Sequence, residues 1–178
     1  MTDEELAFLD EILAPFRQTI GRDVDGYRNH CARMLHFHFA LGPATPDQRR
    51  MSIIAAAFHD IGIWTDNTVD YIEPSIPPAQ RYLSENQLDD WIEVVSLLIS
   101  EHHKIRPYTD PRYPLVEQFR KADLVDFSLG TIRSGLSVEL VRDVRARFPN
   151  AGFHAGLVQK ASAWFLRNPL NPAPMMKW

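Results

Sequence analysis

The stretch that most constrains this chain is Phe58-His59-Asp60-Ile61-Gly62-Ile63-Trp64, where an imidazole and a carboxylate adjoin at the end of an apolar helical run. Polar groups turned into a core need partners, and a divalent metal ion satisfies both at once. Further ligands are then expected where His, Asp or Glu falls on an apolar helical stripe. Tyr27, His30, Met34, Phe37 and Leu41 recur at alternating three- and four-residue steps, which predicts a helix with a histidine in its buried face. His102 continues the face of Trp91, Val95, Leu98 and Ile99, and His103 follows Ile92, Ser96 and Ile99. Asp123 and Asp126 prolong the face of Leu115, Phe119 and Ala122.

In order, His30, then His59-Asp60, then Asp123 in Ala122-Asp123-Leu124-Val125-Asp126 resemble the HD-domain superfamily of metal-dependent phosphohydrolases, over roughly His30 to Asp126. The resemblance implies that His30, His59, Asp60 and Asp123 are metal ligands on four different helices of an all-α domain. Two imidazoles and two carboxylates suit Fe, Mn, Co, Ni or Zn, one ion per chain, with His102 and His103 available for a second. Two departures from related patterns stand out. Ile61 to Trp64 offers no carboxylate after the His-Asp pair, which weighs against a nucleotidase, and Ile61 to Glu101 contains no histidine, which weighs against a full two-metal set.

A chain of 178 residues suits one domain with one core: a metal-site region at about 25–130, followed by helices and a proline-rich tail over 131–178. The formal charge of −4 argues against a dominant nucleic-acid surface and favours a small-molecule substrate. Cys31 is the only cysteine, so no intrachain disulfide forms. The acidic start Thr2-Asp3-Glu4-Glu5 lacks the layout of a secretion signal, and no apolar run approaches bilayer length. A cytoplasmic enzyme without a membrane segment is expected, and a homodimer is compatible with these features.

No stretch has strand period, and the expected fold is an HD-like bundle of about seven to eight helices. Thr2 and Glu5 form a capping box for the first helix, which Pro15 bends or ends. Gly21 to Gly26 reads as a turn, and the His30 helix as about Asp25 to Leu41. Thr45-Pro46-Asp47-Gln48 opens a helix ending at Gly62. Thr65 to Pro78 reads as a long irregular loop, Pro78 to Glu85 as a short helix, and Asp90 with Glu93 as the cap of the helix ending in His102-His103. Pro114 opens the Asp123 helix, and two more helices, about Ser137 to Phe148 and Ala151 to Asn168, precede a tail expected to be extended or loosely docked.

Chemically, the expected site is a phosphohydrolase centre that activates water at the metal. Asp60, His102 and His103 are the catalytic candidates, and Arg33, Lys104, Arg106 and Arg133 the substrate-phosphate candidates. A di-iron oxygenase of HD type, a hydratase or lyase on the same scaffold, and a non-catalytic metal-binding module are the alternatives. Asp126 reads as a structural acceptor, Cys31 as a packed thiol, and His36, His38 and His154 as lying off the site.

Overall fold

The structure is a computed structural model that describes residues 1–176, and among them every regular element is helical. The order is α1 (Asp3–Leu13), α2 (Arg17–Ile20), α3 (Val24–Leu41), α4 (Pro46–Phe58), α5 (Gly62–Thr65), α6 (Ile72–Glu85), α7 (Ile92–Glu101), α8 (Pro114–Phe127), α9 (Val138–Arg147) and α10 (Phe153–Arg167).

Local sequence sets most of these starts. Thr2 and Glu5 close a capping box on α1, and Thr45 and Gln48 close another on α4, with Pro46 where a missing N–H costs nothing. Ser137 caps α9 by accepting from the Leu140 amide. The expected turn at Gly21–Gly26 is instead a 3-10 turn, Gly21–Asp23, running into α3, and Gly26 lies inside that helix beneath Ala151 and Phe153.

Two boundaries differ more. Helix α6 begins at Ile72 rather than Pro78. Pro74 sits in its first turn, where no intrahelical partner is required, and only Pro77 and Pro78 remove interior bonds. The irregular loop is therefore short, and the chain is helical from Ile72 to Glu85. The predicted Asp90 cap does not form either: Asp89–Trp91 is a 3-10 turn, and Trp91 precedes α7 with no side-chain cap.

Helix α4 lies at the centre. Residues 52–63 are buried without interruption, and α1, α3, α6 and α7 all pack on α4. The small side chains Ala55, Ala56 and Ala57 let those neighbours approach closely. Helices α3 and α8 run antiparallel: His38 and Gly42 meet Phe119 and Gln118 near the start of α8, while His30 meets Asp126 near its end. Helix α10 buries only Phe153 and leaves Val158, Phe165 and Leu166 exposed. The tail docks: Pro174 is buried and Met175 packs on Ile63, Tyr71 and Ile72. No helix of the described residues is long and apolar enough to cross a membrane.

Candidate metal centre

The end of α4 aims the site. Past Phe58 the backbone tightens, with the Ile61 amide donating to Phe58 O and the Ile63 amide to Asp60 O. Helix α4 thus ends four residues before the expected Gly62. The carbonyls freed there bind side chains: His59 Nδ1 donates to Ala56 O at 2.7 Å, and the Tyr27 hydroxyl donates to Ala57 O at 3.0 Å. The same hydroxyl accepts from the Asp60 amide at 3.4 Å. Gly62 follows because a Cβ there would lie 2.6 Å from the Tyr71 carbonyl, and its amide donates to the buried Ser75 Oγ.

Each histidine has one nitrogen fixed by the protein. His30 Nδ1 donates to Asp126 Oδ2 at 2.7 Å, His59 Nδ1 to Ala56 O, and His102 Nδ1 to Ile99 O at 2.6 Å. The His30 and His59 Nε2 atoms are thereby turned to one point and His102 Nε2 to Asp60 Oδ1, the arrangement by which a second partner fixes the tautomer of a metal-ligating imidazole. His30 Nε2 and His59 Nε2 are 3.0 Å apart. Two bare nitrogens at that distance repel unless a proton or a metal ion joins them.

The carboxylates complete the set. Asp60 Oδ2 is 3.4 Å from His59 Nε2 and 3.8 Å from His30 Nε2, while Asp123 Oδ1 is 3.5 Å from His30 Nε2 and 3.9 Å from His59 Nε2. Ligands at about 2.1 Å from one ion stand about 3.0 Å apart at octahedral and about 3.4 Å at tetrahedral angles. The His30–His59, His59–Asp60 and His30–Asp123 separations match, whereas Asp60 to His30 and Asp123 to His59 are longer, which leaves Asp123 at the edge of the set. The other oxygens face a second set: Asp60 Oδ1 is 3.4 Å from His102 Nε2, and Asp123 Oδ2 is 3.7 Å from His103 Nδ1. Asp60 Oδ1 and His102 Nε2 are buried and make no hydrogen bond. Orphaned acceptors of this kind are costly, and a cation or a hydrogen-bond donor such as water reaching them removes the cost. His30, His59 and Asp60, and again Asp60, His102 and His103, form groups able to hold a metal ion.

Electrostatics follow from burial and neighbours. Burial holds the His59 pKa at about 3, and it lowers His103 as well, helped by His102. Asp60 resists burial: His59, His102 and His30 together keep its carboxyl below the ordinary range. Asp123 is pushed up to about 6 by burial and by the like charges of Asp60 and Asp126, against His102 and His30. Burial opposes the charge of His102, but its approach to Asp60 and the field of Asp123 raise it overall.

Other predicted residues separate. Arg33 is 2% exposed and committed to Asp126 through Nε at 2.6 Å and Nη2 at 2.8 Å, with Nη1 donating to Phe148 O. Asp126 is the acceptor expected, and it orients His30. Arg120 does not pair with Asp123; it forks onto Glu117 and donates to Lys104 O, pinning the loop after His103. Lys104 is half-buried and pairs with Glu101 at 3.2 Å, and Arg106 is exposed on the same loop. Arg133 is exposed beyond α8, in a pocket with Arg33 and Asp126 but none of the ligand candidates. His36 donates within its own helix to Ala32 O, and Cys31 is a buried thiol against Ala56 O.

Tyr71 has no counterpart among the sequence candidates. It is buried, and its hydroxyl lies 2.7 Å from His103 Nε2. Burial raises its pKa well above the ordinary phenol value, so the hydroxyl donates and His103 accepts. The signal was hidden because Tyr71 immediately precedes the first turn of α6, in a stretch whose prolines read as loop.

No family model, curated protein or solved structure matches the chain.

Proposed function

We propose that this chain is a metal-dependent phosphohydrolase of HD type that acts on a small phosphorylated metabolite. The observation that carries the reading is the convergence of the His30 and His59 Nε2 atoms on Asp60 and Asp123, with Asp60 Oδ1 and His102 Nε2 facing each other without hydrogen bonds. The order His, His-Asp, Asp along the chain supports the same assignment. A divalent Fe, Mn, Co, Ni or Zn ion held there supplies a Lewis acid for phosphoryl oxygens and lowers the pKa of water.

The protein's own groups do the rest. Asp60 stays ionised, and its Oδ1 accepts a hydrogen bond from the attacking water and aligns it. His103, at the rim and neutral at rest, takes up a proton shed by the attacking water and gives it to the leaving oxygen, with Tyr71 steadying the ring. Lys104 and Arg106 draw the phosphate toward that rim. A second reading, a di-iron oxygenase, draws support from Asp60 and Asp123 each directing one oxygen to either imidazole set.

Metal content on protein purified without added metal or chelator, paired with phosphate release from a panel of small esters, separates these readings. About one non-iron ion per chain, absent in Asp60→Ala, with release falling by more than about a hundredfold in that variant, is the expected result. About two irons and no release would favour the oxygenase. A metal-free wild type would remove both.

A further inference from the structure

Outside the metal centre, a pocket of about 430 Å³ between the end of α8, the loop after it and α9 gathers arginine side chains. Arg33, Arg133, Arg142 and Arg145 line it, and Asp126 is the only carboxylate among the lining residues. That carboxylate is already neutralised by Arg33 and accepts a hydrogen bond from His30. In a chain of net charge −4, such a concave cationic site runs against the average surface.

The pocket is also built to hold its shape. Gly130 has φ of +81°, and a Cβ there would lie 2.5 Å from Val141 Cγ1, so this loop is pressed directly onto α9. The Arg145 guanidinium ties the same loop by donating to Leu129 O. His154 closes another side: its Nε2 donates to Asp126 O at 3.1 Å and its Nδ1 accepts from Asn150. Two cations are then left for a ligand. Arg133 makes no ion pair among the described residues, and Arg142 contacts only the exposed Asp143 beside it, a pair worth little in water. Leu129 and Val138, 44% and 54% exposed, add apolar wall beside them.

We infer that this pocket is a second ligand site, separate from the metal centre, for a small organic phosphate whose dianionic head meets Arg133 and Arg142 and whose apolar body lies on Leu129 and Val138. Arginine forks match the several oxygens of a phosphate, whereas a carboxylate occupies one fork alone. The concavity and size favour a small molecule over a polynucleotide, which needs an extended track.

The test is calorimetric titration of the full chain with phenylphosphonate, a dianion on an apolar ring with no ester to cleave, at constant ionic strength. Wild type, Arg133→Ala/Arg142→Ala and Asp60→Ala are compared, with unfolding midpoints to establish that the exposed arginine changes leave the fold intact. The expected result is saturable binding in wild type and Asp60→Ala, weakened about tenfold or more in the arginine variant. Binding lost in Asp60→Ala and kept in the arginine variant would place the anion at the metal centre and overturn the inference without touching the proposed hydrolase. No saturable binding, equal binding in all three, or a preference for a single-stranded oligonucleotide over phenylphosphonate would each overturn it too.

Discussion

His30 and His38 lie about two turns apart on the same helix, and both are buried, yet the structure uses them oppositely. His38 donates from Nε2 to Ser52 Oγ at 2.9 Å, leaves Nδ1 without a partner, and sits between Phe39 and Phe119. His30 donates from Nδ1 to Asp126, which Arg33 holds, and so presents Nε2 to His59 and two carboxylates. Burial alone yields a neutral, inert imidazole. A carboxylate behind the ring leaves the same residue with a free nitrogen able to hold a metal ion.

The comparison breaks most decisively at Asp126. Asp126→Asn keeps the shape but leaves the buried Arg33 guanidinium without its counter-charge, so unfolding free energy should fall by about 3–5 kcal/mol. The change also removes the charge that sets the His30 tautomer, and metal affinity should fall about 10–100-fold. Chemical denaturation and metal titration of the same variant check the two effects. Unchanged metal affinity would mean that Asp126 merely anchors Arg33.

His38 sharpens the other side. Burial lowers its pKa to about 4 in the folded chain, against 6.5 for an exposed imidazole. The unfolded chain therefore takes up the proton first as pH falls, so this contribution to stability is complete above about pH 6.5, declines below it, and levels off under about pH 4. The loss amounts to about 3 kcal/mol. His38→Gln keeps a donor for Ser52 and abolishes the titration. Subtracting its pH–stability curve from that of wild type isolates the effect, since the metal centre titrates in both. Parallel curves would show that His38 does not titrate on unfolding.

The same contrast explains what could be read from the chain. Helix periodicity placed His30, His102 and Asp123 on inward faces, the apolar run ending at Phe58 pointed to His59 and Asp60, and the structure brings the five close to one another. Capping boxes at Thr2 and Thr45 fixed two helix starts because those bonds are local. What stayed hidden depends on distant partners. Nothing near Arg33 announces that Asp126 and the carbonyls of Phe148 and Pro149 consume its donors. Nothing near Asp60 announces that a tyrosine on α3 receives its amide. Proline misled at α6, because a first-turn proline and a loop proline look alike until the helix that follows is seen.

Tyr71→Phe should have the smallest effect and make the finest distinction. Losing a single hydrogen bond to His103 Nε2 costs about 1 kcal/mol of stability, since the imidazole at the rim can turn to water instead. If His103 delivers a proton to the leaving group, its ring must be held in place during reaction, so kcat should drop about three- to tenfold with KM little changed. Metal content should stay at the wild-type level, because Tyr71 adjoins Asp60 without being one of the ligand candidates. A fall in metal content instead would show that the hydroxyl orients His103 as a ligand. His103 would then resemble His30, with Tyr71 in the role of Asp126, and the rim would belong to a second ion rather than to proton transfer.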